Sequence, residues 1–213
     1  PLCLVGSEMC IRDSIMSVLI NDEMDNLLKT TSRSFYPTLK YLPKKVRGQI
    51  GLLYLLARVA DTIADSKHGE TDLLLKSISE YNSVAQGKSA QLPDFTVIAD
   101  IQDNPSEAEL LRNVSDIVNA LQVYDKDDQA RMLECLDIIV GGQILDLERF
   151  GPAKEGGKIS ALKNNAEMDD YTFRVAGCVG VFWTKMSLAH LVKMDEDRPV
   201  SYTHLTLPTT LQV

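Results

Sequence analysis

Four polar side chains with chemical potential recur along one stretch of the chain, Tyr54-Leu-Leu-Ala-Arg58-Val-Ala-Asp61-Thr-Ile-Ala-Asp65. Steps of four, three and four residues put Tyr54, Arg58, Asp61 and Asp65 on one face of a helix. Carboxylates at i and i+4 repel each other, at a cost of roughly a few tenths of a kcal/mol to an isolated helix. A hard divalent cation reverses the sign of that interaction. Magnesium takes oxygen ligands and is commonly held by one or two carboxylates together with substrate phosphates. The residues between these four are mostly apolar, which a purely solvated acidic stripe does not require. Asp-x-x-x-Asp pairs are nevertheless frequent on exposed helices, so the spacing alone leaves both a metal face and a solvated stripe open.

The elements that must position this face read as helices nearly throughout. Asp22 to Thr31 forms a short amphipathic helix, and the following SRSFYPTLKYL is kinked or restarted at Pro37. A new helix opens near Pro43 and continues from Val46 to Ala64 with apolar residues at helical spacing. Glu70 to Gln86 is another helix, closed by Gly87, and Lys88 to Pro105 with its two prolines reads as a loop. Ser106 and Glu109 form a capping box for a helix reaching about Tyr124. Asp127 to Phe150 is a long helix interrupted at Gly141-Gly142. The Gly-rich GPAKEGGKIS follows from Gly151, and a last helix runs from about Glu167 to Met194. No strand alternation is convincing. The fold class is all-α, a bundle of long helices.

Composition narrows the function. A formal net charge of −8 over 213 residues offers no basic footprint for nucleic acid. No apolar run is long enough for a membrane-spanning helix. Both ends read as foreign to the fold. LVGSEMCIRDS (Leu4–Ser14) matches one reading frame of a common transposon sequencing adapter, and VSYTHLTLPT (Val200–Thr209) matches its reverse complement. Residues 1–14 and 200–213 are accordingly expected to be adapter-derived, with 15–199 as the N-terminal part of a single domain. Cys3, Cys10 and His204 then drop out of consideration, leaving Cys135, Cys178, His68 and His190. Cys135 and Cys178 lie in apolar helical surroundings without metal-ligand spacing and read as reduced core thiols. That inventory supports neither a zinc site nor a Cys/His triad.

Three separated motifs, in order, resemble the signature of the squalene and phytoene synthases. They are SRSF (Ser32–Phe35), Y-x-x-x-R-x-x-D-T-x-x-D (Tyr54–Asp65) and Y-x-x-x-V-A-G-x-V-G (Tyr171–Gly180). GGQILDLERF (Gly141–Phe150) also resembles the family's central helix. The likeness covers most of Asp22 to Met194. It implies an isoprenoid-synthase bundle that condenses two prenyl diphosphates head to head. It assigns Asp61 and Asp65 to Mg²⁺, and Ser32, Arg33, Ser34 and Arg58 to the substrate phosphates. Phe35 and Tyr54 would touch substrate, and Tyr171 would move a proton during cyclopropane closure. Val175 and Val179, with Ala176, Gly177 and Gly180, either line a channel for the isoprenoid tail or allow close helix packing. Phe182 and Trp183 read as core.

The family's second aspartate-rich motif, downstream of the V-A-G segment, is not found before Arg198, so the chain resembles an incomplete synthase unable to turn over by itself. Thr62, second in DTIAD, resembles squalene synthases, where phytoene synthases more often carry aspartate. That choice implies two farnesyl diphosphates joined to squalene by way of presqualene diphosphate, with NADPH for the reductive step. A phytoene or dehydrosqualene synthase, needing no reductant, and a non-catalytic binding or assembly protein of the same fold are the alternatives. The resemblance also implies a cytoplasmic protein with peripheral membrane association for product release. Deleting residues 1–14 and 200–213 should leave the thermal melting midpoint unchanged. A loss of several degrees would overturn the adapter reading.

Overall fold

The structure, a computed structural model, describes residues 19, 21–66, 69–151 and 161–192. Residues 1–14 and 200–213, His68 and most of the Gly-rich segment after Gly151 therefore lie outside the described residues. Every regular element described is helical.

Helix α1 (Asp22–Ser32) starts where Asn21 Oδ1 accepts a hydrogen bond from the Met24 N–H at 2.8 Å, with Asp22, Glu23 and Asp25 in its first turn. Both features suit the positive end of a helix dipole. A single 3₁₀ turn, Arg33–Phe35, leads into α2 (Tyr36–Tyr41), which carries Pro37 in its first turn. The Tyr36 hydroxyl donates back to Asp25 Oδ2 and ties this corner together. Helix α3 (Lys44–Ala64) follows Pro43 and runs through the middle of the molecule. Leu52, Leu55, Leu56, Val59 and Ile63 are fully buried, because neighbours cover α3 on several sides. Helix α4 (Thr71–Ala85) ends at Gly87, whose φ of 70° is the left-handed conformation that closes helices.

Between α4 and the next long helix the sequence reading needs correction. The expected loop contains a short helix, α5 (Thr96–Asp100). The next helix is capped by Asn104, whose Oδ1 accepts from the Ser106 N–H at 3.0 Å, so Ser106 lies inside it behind Pro105. Instead of one helix to Tyr124 there are α6 (Pro105–Arg112), α7 (Val114–Asn119) and a 3₁₀ turn (Ala120–Val123). Asn113 causes the break: its side chain bonds its own helix at Glu109 O, 2.9 Å, competing with the backbone ladder.

Helix α8 (Lys126–Phe150) is continuous through Gly141-Gly142 and packs against both α3 and α4. Tyr81 of α4 is fully buried and donates to Leu56 O of α3 at 2.8 Å. Asn82 and Gln86 bond α4 to Asp137 and Leu133 of α8. The final helical stretch comprises α9 (Asn165–Thr172), a π-helical turn (Phe173–Gly177) and α10 (Cys178–His190). Cys135 and Cys178 are both buried, free thiols.

A buried carboxylate pins the opposite end of the bundle. Asp128, 1% exposed, accepts from Gln49 of α3 at 3.0 Å, from Arg131 of α8 at 2.8 Å, and contacts His190 Nε2 of α10 at 2.9 Å. Burial pushes its pKa up, but the hydrogen bonds and the charge of His190 outweigh burial and hold it below the usual carboxylate range. Stability from this group is therefore present above the unfolded value near 4 and is lost as pH falls through the native value. Asp128→Ala strands three donors in a largely dry site and should cost about 2–4 kcal/mol in urea unfolding. A cost below about 0.5 kcal/mol would show that Asp128 does not hold the three helices together.

Candidate functional site

Helices α3, α8 and α10 and the π turn before α10 line an open cavity of about 550 Å³, largely with apolar groups. Its size and character are those of a small-molecule site. From α3 come Tyr54 and Asp61, from its C-cap Asp65, and from the 3₁₀ turn before α2 Phe35. Phe35 and Tyr54 stack, with ring centroids 5.3 Å apart and planes 24° from parallel. Val175, Val179 and Trp183 form the facing apolar wall. Phe182 and Trp183 both line the cavity, but Phe182 is buried and belongs to the core as well, whereas Trp183 is 36% exposed.

The carboxylates carry the electrostatics. Asp61 Oδ1 accepts a hydrogen bond from Gln143 Nε2 of α8 at 2.6 Å. Burial, then the nearby Asp65, push the Asp61 pKa up to about 6. Arg58 and the Gln143 hydrogen bond only partly oppose this. Burial also raises Asp65, with Arg58 lowering it and Glu107 raising it. Asp146, on α8, is raised by burial and by Asp65, against the pull of Arg149. Negative charge is thus concentrated, partly desolvated and incompletely compensated at one end of an apolar cavity. No group of three or more metal-ligating side chains occurs among the described residues. Two oxygen donors in this state fit a hard divalent cation that completes its shell with phosphate and water.

The other residues singled out from the sequence are distributed differently. Arg58 is absent from the cavity lining; its Nη2 pairs with Glu107 Oε1 at 2.6 Å, and its buried Nε has no partner. Ser32 is buried, its hydroxyl donating to Leu28 O within α1. Arg33 and Ser34 are exposed at the turn, Arg33 with a φ of 47°, a costly conformation for a side chain with a Cβ. Tyr171 is partly buried on α9, about one turn before Arg174 and Val175, and is not among the lining groups. The cavity brings together Phe35, Tyr54, Asp61, Asp65, Val175 and Val179. It does not include Ser32, Arg33, Ser34, Arg58 or Tyr171.

Two polar lining residues, Gln143 and Arg174, are not singled out by the sequence. Gln143 follows the glycine pair and gives no sign on its own of reaching Asp61, 82 positions earlier. Arg174 stands inside the Y-x-x-x-V-A-G motif at a position that motif leaves open. No long-range partner of either is visible without the packing of α8 against α3 and the π turn.

The squalene/phytoene synthase family model matches residues 28–203. Among solved structures, a trypanosomal squalene synthase in complex with a ligand superposes with a TM-score of 0.60 at 20% sequence identity. The match covers 77% of this chain and 43% of that one, so the chain spans less than half the length of the solved enzyme. At that identity the likeness speaks for the fold. No curated protein shows a significant sequence match.

Because Asp61 has a raised native pKa, its ionisation costs stability: the cost is absent below the unfolded value near 4 and grows as pH rises through about 6. In buffer free of divalent cations, Asp61→Asn should therefore be more stable than the parent by ~1–3 kcal/mol near pH 8 and equal to it near pH 4. Adding Mg²⁺ should raise the melting temperature of the parent and leave the variant unmoved. A variant no more stable than the parent near pH 8 would mean that the Asp61 carboxylate is not destabilised by its burial.

Proposed function

Since the chain belongs to the squalene/phytoene synthase family, we propose that it forms the N-terminal part of an enzyme that condenses two prenyl diphosphates head to head. The observation that carries this reading is the juxtaposition of Asp61 and Asp65 with one apolar cavity. A prenyl diphosphate has the same two-ended character, a polyanionic head on a hydrocarbon tail. Asp61 and Asp65 would hold Mg²⁺, which supplies charge neutralisation for a departing diphosphate. Gln143 keeps the Asp61 carboxylate aimed, and Arg58 lowers the cost of ionising both aspartates. Phe35, Tyr54, Val175 and Val179 supply walls for the tail, and the stacked rings offer π faces to a developing allylic cation. Arg33 and Ser34, exposed at the turn that carries Phe35, are the proposed outer contacts for phosphate, whereas the Ser32 hydroxyl is engaged with Leu28 O. Tyr171, at the entrance to the π turn, is the proposed proton-transfer residue.

Within this class, the reading is farnesyl diphosphate to presqualene diphosphate and then, with NADPH, squalene; Thr62 and the general likeness support it. No helix among the described residues is long and apolar enough to cross a membrane, and peripheral contact with a membrane is the proposed route for an apolar product. Two diphosphates must be held, and the cavity lining offers one aspartate pair, so the 213-residue chain alone should form no squalene. The same chain extended by its genomic continuation should accumulate presqualene diphosphate with farnesyl diphosphate and Mg²⁺, and squalene once NADPH is added. In the extended protein, Asp61→Asn or Asp65→Asn should reduce turnover by roughly 10²-fold or more. Phytoene formed from geranylgeranyl diphosphate without reductant would move the assignment to the phytoene branch. Undiminished turnover in both aspartate variants would refute the assigned metal face.

A further inference from the structure

The cavity wall facing α3 holds one cation, Arg174, in otherwise apolar surroundings. Its Nε donates to both carboxylate oxygens of Asp170, at 3.0 and 2.9 Å. Among the described residues, neither Nη1 nor Nη2 has a hydrogen-bond partner, so the outer fork of the guanidinium keeps its donors available. The stem lies directly on α8. A Cβ built at Gly142 would meet the Arg174 Cβ at 3.0 Å, and one built at Gly141 would meet Nη1 at 3.0 Å. The two glycines therefore form the bed on which this side chain rests. A solvent-exposed i,i+4 ion pair has no need of such a bed.

The backbone under Arg174 is specialised as well. Residues Phe173–Gly177 form a π turn, in which the Cys178 N–H reaches back five residues to Phe173 O. The Cys178 thiol donates to Arg174 O at 3.1 Å, the carbonyl that an α-helical N–H of this residue would use. A π turn inserts one residue into the helical register and changes the direction of the side chains it carries, and such turns recur at functional sites. Here the side chains displaced are Arg174 and Val175, both in the cavity wall.

We propose that Arg174, laid across Gly141-Gly142 and held at Nε by Asp170, binds a phosphate of the prenyl diphosphate through its Nη fork, from the wall facing Asp61 and Asp65. The inference rests on the diphosphate-binding reading given above. An arginine stays charged in a desolvated site and matches phosphate oxygens two at a time, which a lysine cannot do. A diphosphate drawn to magnesium at the aspartates still brings excess negative charge into an apolar cavity, where uncompensated charge is costly. Arg174 is the cation in the lining placed to meet it, since Arg58 is engaged with Glu107. Asp170 is then a positioning residue, acting through Arg174.

The test is calorimetric titration of the full 213-residue chain with inorganic pyrophosphate, with and without Mg²⁺. The parent should bind in a magnesium-dependent manner. Arg174→Gln should weaken binding by at least roughly tenfold, and Arg174→Lys should fall between the two. Gly142→Ala retains every charged group and favours the helix, yet displaces the side chain, so it should weaken binding with an unchanged helical spectrum. Asp170→Asn should weaken it less than Arg174→Gln does. If Arg174→Gln and Gly142→Ala bind as the parent does while Asp61→Asn does not, the role of Arg174 is refuted and the diphosphate reading stands. If the parent shows no magnesium-dependent binding, both are refuted together.

Discussion

The Asp61 carboxylate is held partly out of water, beside Asp65 and against an apolar cavity, and the rest of the structure is arranged around that expense. An exposed acidic pair would have cost little and organised nothing. Burial raises the energy of both anions, and the neighbouring charges do not fully relieve it. What relief the chain does supply comes from distant elements: Gln143 reaches over from α8, and Arg58 is steadied by Glu107 of α6. The remaining imbalance is the physical basis of the proposed cation and phosphate binding at this end of the cavity.

Helix α8 makes the arrangement rigid. It packs on α3, α4 and α10 and so sets the distance between the aspartate face and the Val175–Val179 wall. Its glycine pair serves that packing. Glycine in a helix interior costs stability relative to alanine, but here it lets the stem of Arg174 lie against the backbone. At the far end, Asp128 gathers Gln49, Arg131 and His190, so the three helices that frame the cavity are also tied together away from it. Charged groups thus do two different jobs in one bundle. Asp128 is satisfied on every side and stabilises, while Asp61 is left short of partners and stays available.

Much of the fold was legible because long amphipathic helices announce themselves. The stretches around α1, α3, α4 and α8 each carry apolar residues at helical spacing, and their ends were placed within a few residues. The errors fall where local rules compete. Asn104 and Ser106 are both good caps, and Pro105 between them decides in favour of Asn104, since proline fits the first helical turn. Asn113 falls inside the single helix expected from Ser106 to Tyr124, yet its amide bonds Glu109 O where the run breaks. Gly141-Gly142 was read as an interruption because glycine weakens helices, but burial against two neighbours overrides that propensity. The π turn has no simple sequence period, so nothing in the residues of Phe173–Gly177 distinguishes it from an α-helix.

The sequence by itself determined the helical class, the shared face of Tyr54, Asp61 and Asp65, and the kinship carried by three motifs in order. These are properties of spacing within single segments, which a linear chain records directly. Only the tertiary structure decided which of those residues meet. It turned Arg58 toward Glu107, spent the Ser32 hydroxyl on its own helix, and set Gln143 and Arg174 into the cavity beside the aspartates. The physical reason is that a side chain's partner is chosen by the packing of helices far apart in sequence, through ridges, glycine gaps and one inserted residue. None of these leaves a period in the chain that could be read in advance.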